Sequence, residues 1–267
     1  MSENKDKEQL VENFFYLSLF QVACYIFPLL TIPYLARIIG TEGFGKIAFA
    51  AAVVSWIQIV VDWGFNYTAT REVAKNRDDV NFVSDVFSNV FWAKCIISVV
   101  SFFFLVGLII LIPLFRDNAL VILVTYVMIF GNILFPSWFF QAIEKMKFVA
   151  ILNFVIKLIF TLFVFLFIDS PDDYVLQPFF ISVGFLFCGM VSMWIILKRW
   201  KYKLFAPNLT RIFAEIKQSK DMFLNNLMLN SYTNFTVLLL GFFGGGHANG
   251  VLMEEINLRL FLSSFCK

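Results

Sequence analysis

Seven apolar runs, each long enough to cross a lipid bilayer as a helix, constrain this chain more than any other feature. A hydrocarbon core of about 30 Å takes about 20 apolar residues per helix. By that measure the runs fall at residues 14–36, 46–66, 86–112, 119–141, 148–168, 175–197 and 222–243. Backbone polar groups find no partner in lipid, so each run must satisfy its hydrogen bonds internally, as a helix does. The alternating pattern of barrel strands is absent. With 60% hydrophobic residues and 36 Phe among 267, the chain holds more apolar surface than one soluble core could hide. The expected fold class is all-α: a polytopic helical membrane protein of about seven transmembrane helices.

Lysine and arginine set the expected direction. With the N-terminus in the cytoplasm, the inward segments hold fourteen Lys and Arg residues against three outside, Arg37, Lys46 and Arg116. The expected organisation is then a cytoplasmic tail (1–13), a six-helix membrane lobe (14–197) and a basic cytoplasmic loop (198–221). A seventh transmembrane helix (222–243) and an atypical tail (244–267) follow. The first apolar run is too long for a signal-peptide core and lacks a cleavage site, so it reads as a retained span. "PSWFFQAIEKMKFV" (136–149) is the cytoplasmic end of span four. There Pro136 removes a backbone donor and kinks the helix, Trp138, Phe139 and Phe140 join the interfacial aromatic belt, and Glu144 is solvated or paired with a lysine.

Polar residues inside the spans are the candidate functional groups, because a charge at the bilayer centre costs about 2.5–3.5 kcal/mol on insertion scales. Span two carries Ser55, Gln58, Asp62 and Asn66 as one stripe. Span three carries Lys94, Ser98 and Ser101; span five carries Asn153, Lys157 and Thr161; span seven carries Asn226, Asn230 and Asn234. Residues at such spacings share a helix face. Several single stripes suit a bundle around a hydrated cavity, made electropositive by Lys94 and Lys157 and so suited to an anionic headgroup such as a phosphate. Lys94 has a second reading, snorkelling to the cytoplasmic face or forming a structural bridge to Asp62 at similar depth, and membrane amides often only join neighbouring helices.

Other classes find little support. A net charge of +2 argues against a general polyanion binder, so no nucleic-acid partner is expected. A single histidine, His247, leaves no histidine-based metal site. "GGGHANG" lacks the lysine of a phosphate-binding loop. Cys24, Cys95, Cys188 and Cys266 have no CxxC spacing and read as small buried hydrophobes. No catalytic residue, metal or cofactor is expected.

Four stretches carry a resemblance to one family. "PYLARIIGTEGFGKIAFA" (33–50) resembles the first helix end, turn and second helix start of polysaccharide biosynthesis transporters, the O-antigen flippases. "DWGFNYTATREVAKNRDD" (62–79) resembles their second helix end and cytoplasmic loop. "PSWFFQAIEKM" (136–146) is similar to their fourth-helix signature, and "VLLLGFFGGGHANG" (237–250) to the end of their seventh helix. The resemblance implies translocation of undecaprenyl-diphosphate-linked polysaccharide repeat units from the inner to the outer leaflet of the bacterial inner membrane. It implies alternating access between two six-helix lobes, with a lipid-linked oligosaccharide substrate, membrane lipids, a polysaccharide polymerase and a chain-length regulator as partners. The substrate cavity would then use Lys94, Lys157, Asn153, Gln58, Asn226 and Asn230, with Asp62 as a gate or ion-coupling group. The segment "VLMEEINLRLFLSSFCK" departs from the family's continuation, which a reading-frame shift would explain. Two alternatives stay open: a multi-span enzyme of polysaccharide assembly (a polymerase or glycosyltransferase), or a drug or ion exporter of the same superfamily.

Overall fold

The computed structural model describes the backbone of residues 2–243 and the side chains of residues 26–228 apart from residue 28. Among the described residues there are helices and no strand, the all-α architecture that an apolar solvent demands. The long elements are α1 (Ser2–Asp62), α3 (Val80–Leu111), α5 (Ala119–Leu134), α7 (Met146–Phe167), α8 (Leu176–Trp194) and α9 (Leu209–Phe243). Short helices α2 (Phe65–Lys75), α4 (Pro113–Asp117) and α6 (Ser137–Ala142) link them. Five helical segments of the described residues are long and apolar enough to cross a membrane. The seven-span expectation fits these elements.

The first two expected spans form one helix, α1, broken at Gly40 with φ 67 and ψ 175, a region essentially reserved for glycine. A single residue therefore replaces the loop between them. The second break, at Trp63–Gly64, redirects the chain from α1 into α2. Gly64 has φ +79, and a Cβ there would stand 2.8 Å from the Met222 Cβ and 2.9 Å from the Phe223 nitrogen. Left-handed backbone and the close passage of α9 both require glycine at this point. The segment 67–85, read from sequence as a connection, is thus mostly helical, and α3 starts at Val80 because Asp79 caps it through the amides of Asn81 and Phe82.

The kink expected at Pro136 is a full break. α5 ends at Leu134 and α6 starts at Ser137, since proline offers no amide to continue the ladder. Beyond it, Trp138, Phe139 and Phe140 do not form an exposed belt. They are buried with Phe65 and Phe87, and Trp200 and Tyr202 pack against them. Glu144 pairs with Arg77 at 2.8 Å.

α5 and α8 approach most closely at two glycines. A Cβ on Gly131 would lie 2.7 Å from the Phe185 backbone carbon, and one on Gly189 2.6 Å from the Leu134 Cβ. Small residues let membrane helices meet backbone to backbone, where dispersion replaces the hydrophobic drive that lipid cannot supply. Away from these contacts the helices present bare apolar side chains, such as Phe103 at 69% exposure and Leu111 at 77%. Such surfaces suit an apolar surrounding such as lipid.

After α8 the chain forms one π turn (Ile195–Arg199) and an extended strap. The strap lies along α3: the amides of Lys203 and Phe205 donate to the Ser84 and Ser88 hydroxyls (3.1 and 2.9 Å), and Trp92 Nε1 donates to the Phe205 carbonyl (2.9 Å). The first half of α9 then docks on α2 and α3. Thr68 and Ser219 share a 2.6 Å hydrogen bond, Trp63 Nε1 donates to the Ile216 carbonyl at 3.0 Å, and Arg211 pairs with Asp85.

Candidate functional site

Where α1 runs down to its break at Gly64, the stripe foreseen in span two meets three other helices. Lys94 of α3 is buried, 5% exposed, and its ammonium donates to Asp62 Oδ1 at 2.7 Å and to Asn66 Oδ1 at 3.1 Å. Gln58 Nε2 donates to the other carboxylate oxygen of Asp62 at 3.0 Å, and Asn132 Nδ2 of α5 donates to Gln58 Oε1 at 3.3 Å. The chain of partners joins α1, α2, α3 and α5 at membrane depth. Each charge has an opposite charge and amide contacts, the condition under which ionic groups persist in a low-dielectric interior.

The network forms one wall of a cavity of about 830 Å³. Ser55, Gln58 and Asp62 of α1 line it, with Asn66, Tyr67, Thr70 and Arg71 of α2, Ser137, Trp138 and Gln141 of α6, and Asn226 of α9. A recess of about 100 Å³ leads from it to Lys94 and Asn132. α2 supplies so much of the wall because its residues 65, 69 and 73 are buried in the core, which turns the opposite face of the helix into the cavity.

The sequence-predicted residues divide. Gln58, Asp62 and Asn226 line the cavity and Lys94 its recess, so four of the seven come together. Asn153 and Lys157 line neither. α7 packs on the first arm of α1 and on α8, as the Phe27–Phe154 and Phe163–Phe180 ring contacts show, and the Asn153 amide donates to the Val149 carbonyl of its own helix. The described cavity thus brings Lys94 together with Asp62 but not with Lys157: a shared helix face says nothing about which neighbour that face meets. The Asn230 side chain lies outside the described ones. Lys94 has its charge balanced by Asp62 at 2.7 Å.

Sequence reasoning missed Asn132, Arg71, Tyr67 and the cavity-lining role of Trp138. Asn132 was detectable, being an amide inside an otherwise apolar span. Arg71 and Tyr67 were hidden because the segment after Asn66 read as a loop.

A multi-pass helical membrane protein with a polar-walled cavity between its helices, and a charge pair bridging them, is the class this architecture defines. Comparison with known proteins narrows it. The polysaccharide biosynthesis protein family matches residues 10–266, and the chain belongs to that family. It is 31% identical over 245 residues to a protein of Escherichia coli (strain K12) provisionally named an O-antigen transporter, covering 91% of this chain and 58% of that protein. It is 27% identical over 251 residues to a protein of Shigella dysenteriae with the same provisional name, covering 93% of this chain and 62% of that one. The chain thus spans about three fifths of the length of these relatives. No solved structure matches it.

Proposed function

We propose that this chain forms the substrate-lining part of a transporter that moves undecaprenyl-diphosphate-linked polysaccharide repeat units across the bacterial inner membrane, from the inner to the outer leaflet. The observation that carries this reading is the 830 Å³ cavity, walled by amides, hydroxyls and aromatic rings among membrane-crossing helices. A glycan headgroup needs such a wall, while its lipid tail stays in the bilayer. The family match and the provisional names of the relatives support the same reading. In this scheme residues 14–197 are one lobe, 198–221 a basic cytoplasmic connector and 222–243 the seventh span. Asp62 and Lys94 act as a gate: their pair, made in this conformation, opens when the helices rock in alternating access.

The test is genetic. In cells lacking their own O-antigen transporter, the wild-type gene should restore laddered surface polysaccharide on a lipopolysaccharide gel. Asp62→Asn should restore less than about a tenth of it. Failure of the wild type, with lipid-linked repeat units still made on the inner leaflet, would overturn the reading.

A further inference from the structure

Charge accounting around the cavity singles out a residue that neither the membrane spans nor the proposed gate uses. Among the residues lining the main cavity, the charged ones are Asp62 and Arg71. Asp62 is compensated by Lys94 at 2.7 Å, so this pair offers an incoming anion little net attraction. The described ion pairs Lys46–Glu42, Arg77–Glu144, Lys94–Asp62 and Arg211–Asp85 do not include Arg71. Arg71 is exposed, and among the described residues its side chain makes no hydrogen bond.

Its place on α2 gives that charge a direction. Asn66, Tyr67, Thr70 and Arg71 fall on one face of the helix, opposite the buried Phe65, Ala69 and Val73, and Arg71 stands five positions beyond Asn66, about 7.5 Å along the axis. The guanidinium therefore stands at one end of the wall and the neutralised pair at the other, with amides and hydroxyls between. Tyr67, 59% exposed, and Trp138 line the same cavity. A planar fork of donors, permanently charged and weakly hydrated, matches phosphate oxygens two at a time, which an ammonium cannot do.

We infer that Arg71 is the anion-recognising residue of the cavity and takes the diphosphate group of the substrate. The cavity then divides into an anion-binding end at Arg71 and a neutral, amide-lined end at Gln58 and Asn66 that receives sugar hydroxyls. This assignment rests on the transport reading above and moves the phosphate contact from Lys94 and Lys157, where sequence placed it, to α2.

The experiment measures binding to the full chain in lipid nanodiscs by isothermal titration, with inorganic pyrophosphate and with farnesyl diphosphate as probes. The first probe carries the anion alone, the second the same anion on an isoprenoid tail. Wild type should bind both. Arg71→Gln should weaken both by about tenfold or more, the range for losing a charged hydrogen bond, Arg71→Lys should fall between, and Arg77→Gln should leave both unchanged. Unaltered binding by Arg71→Gln would overturn the Arg71 assignment and leave the transport reading standing. So would an equal loss in Arg77→Gln, which would mean a diffuse basic surface. Absence of binding to either probe by the wild type would overturn both readings. Arg71 is exposed, so its variants should fold as wild type does, and an unchanged elution profile and melting temperature check this.

Discussion

At the scale of residues, the structure rests on a few polar contacts whose partners lie far apart in sequence. Lys94 and Asp62, thirty-two positions apart, hold three helices together with Asn66. Lys94→Ala leaves the Asp62 carboxylate with only Gln58, and a lost partner of a buried pair costs about 3 kcal/mol or more. The expected outcome is a melting temperature several degrees lower in detergent, with recovery in the double variant Asp62→Ala/Lys94→Ala because no charge is then stranded. A double variant as unstable as Lys94→Ala would show that the pair is not what stabilises this region.

A second residue-scale prediction concerns pH. Glu215 on α9 is pushed up to about 7, by burial first and then by the neighbouring carboxylates of Glu72 and Asp85. A carboxyl whose folded-state pKa exceeds its ordinary 4.5 binds its proton more tightly when α9 is docked than when it is released. Docking should therefore be strongest below pH 4.5 and weaken as pH rises to about 7. Hydrogen exchange of residues 209–221 followed across that range should show rising exchange beyond the intrinsic pH trend, and Glu215→Gln should flatten it. A Glu215→Gln profile identical to wild type would remove the carboxyl as the cause.

Elements are set here by how backbones are allowed to meet. Gly131 and Gly189 bring α5 and α8 into contact, and Gly131→Leu would push a side chain into the Phe185 backbone. Overpacking of this kind typically costs about 1–3 kcal/mol. The expected readout is loss of the monodisperse peak on gel filtration, whereas Gly107→Ala, which meets nothing within 4 Å, should be neutral. The strap along α3 is a milder case. Ser84→Ala with Ser88→Ala removes two hydroxyl acceptors worth about 1 kcal/mol each, so the amides of Lys203 and Phe205 should exchange faster while the rest of α3 is unchanged. Equal exchange in both proteins would mean that packing of Tyr202 and Leu204, not hydrogen bonding, holds the strap.

For the whole molecule the decisive quantity is direction across the membrane. The excess of Lys and Arg on one side predicts that Lys203 faces the cytoplasm and Asp172 the opposite side. In a background with all cysteines replaced, Asp172→Cys should react with an impermeant maleimide in spheroplasts, and Lys203→Cys only in inverted vesicles. The reverse pattern would invert the orientation, and with it the side from which the Arg71 end of the cavity is reached.

Much of this architecture was legible in the chain before folding. Hydropathy over a window of about 20 residues is a local, additive quantity, so the lipid solvent, the helical class and the approximate spans follow from sequence alone. The stripe of Gln58, Asp62 and Asn66 was equally legible, because the helical period is local too. Which stripes meet is not local. It depends on how far each helix is rotated about its axis, and here that was decided by Gly64, which turns α2 so that Arg71 joins the cavity wall, and by the close passage of α9 over the same glycine. α7 was carried to the first arm of α1 and to α8, taking Lys157 away from the residues around Lys94. One-dimensional pattern determined that this protein is a membrane bundle with polar faces; tertiary packing alone decided that Asp62 would neutralise Lys94 and that the exposed cation at the cavity would be Arg71.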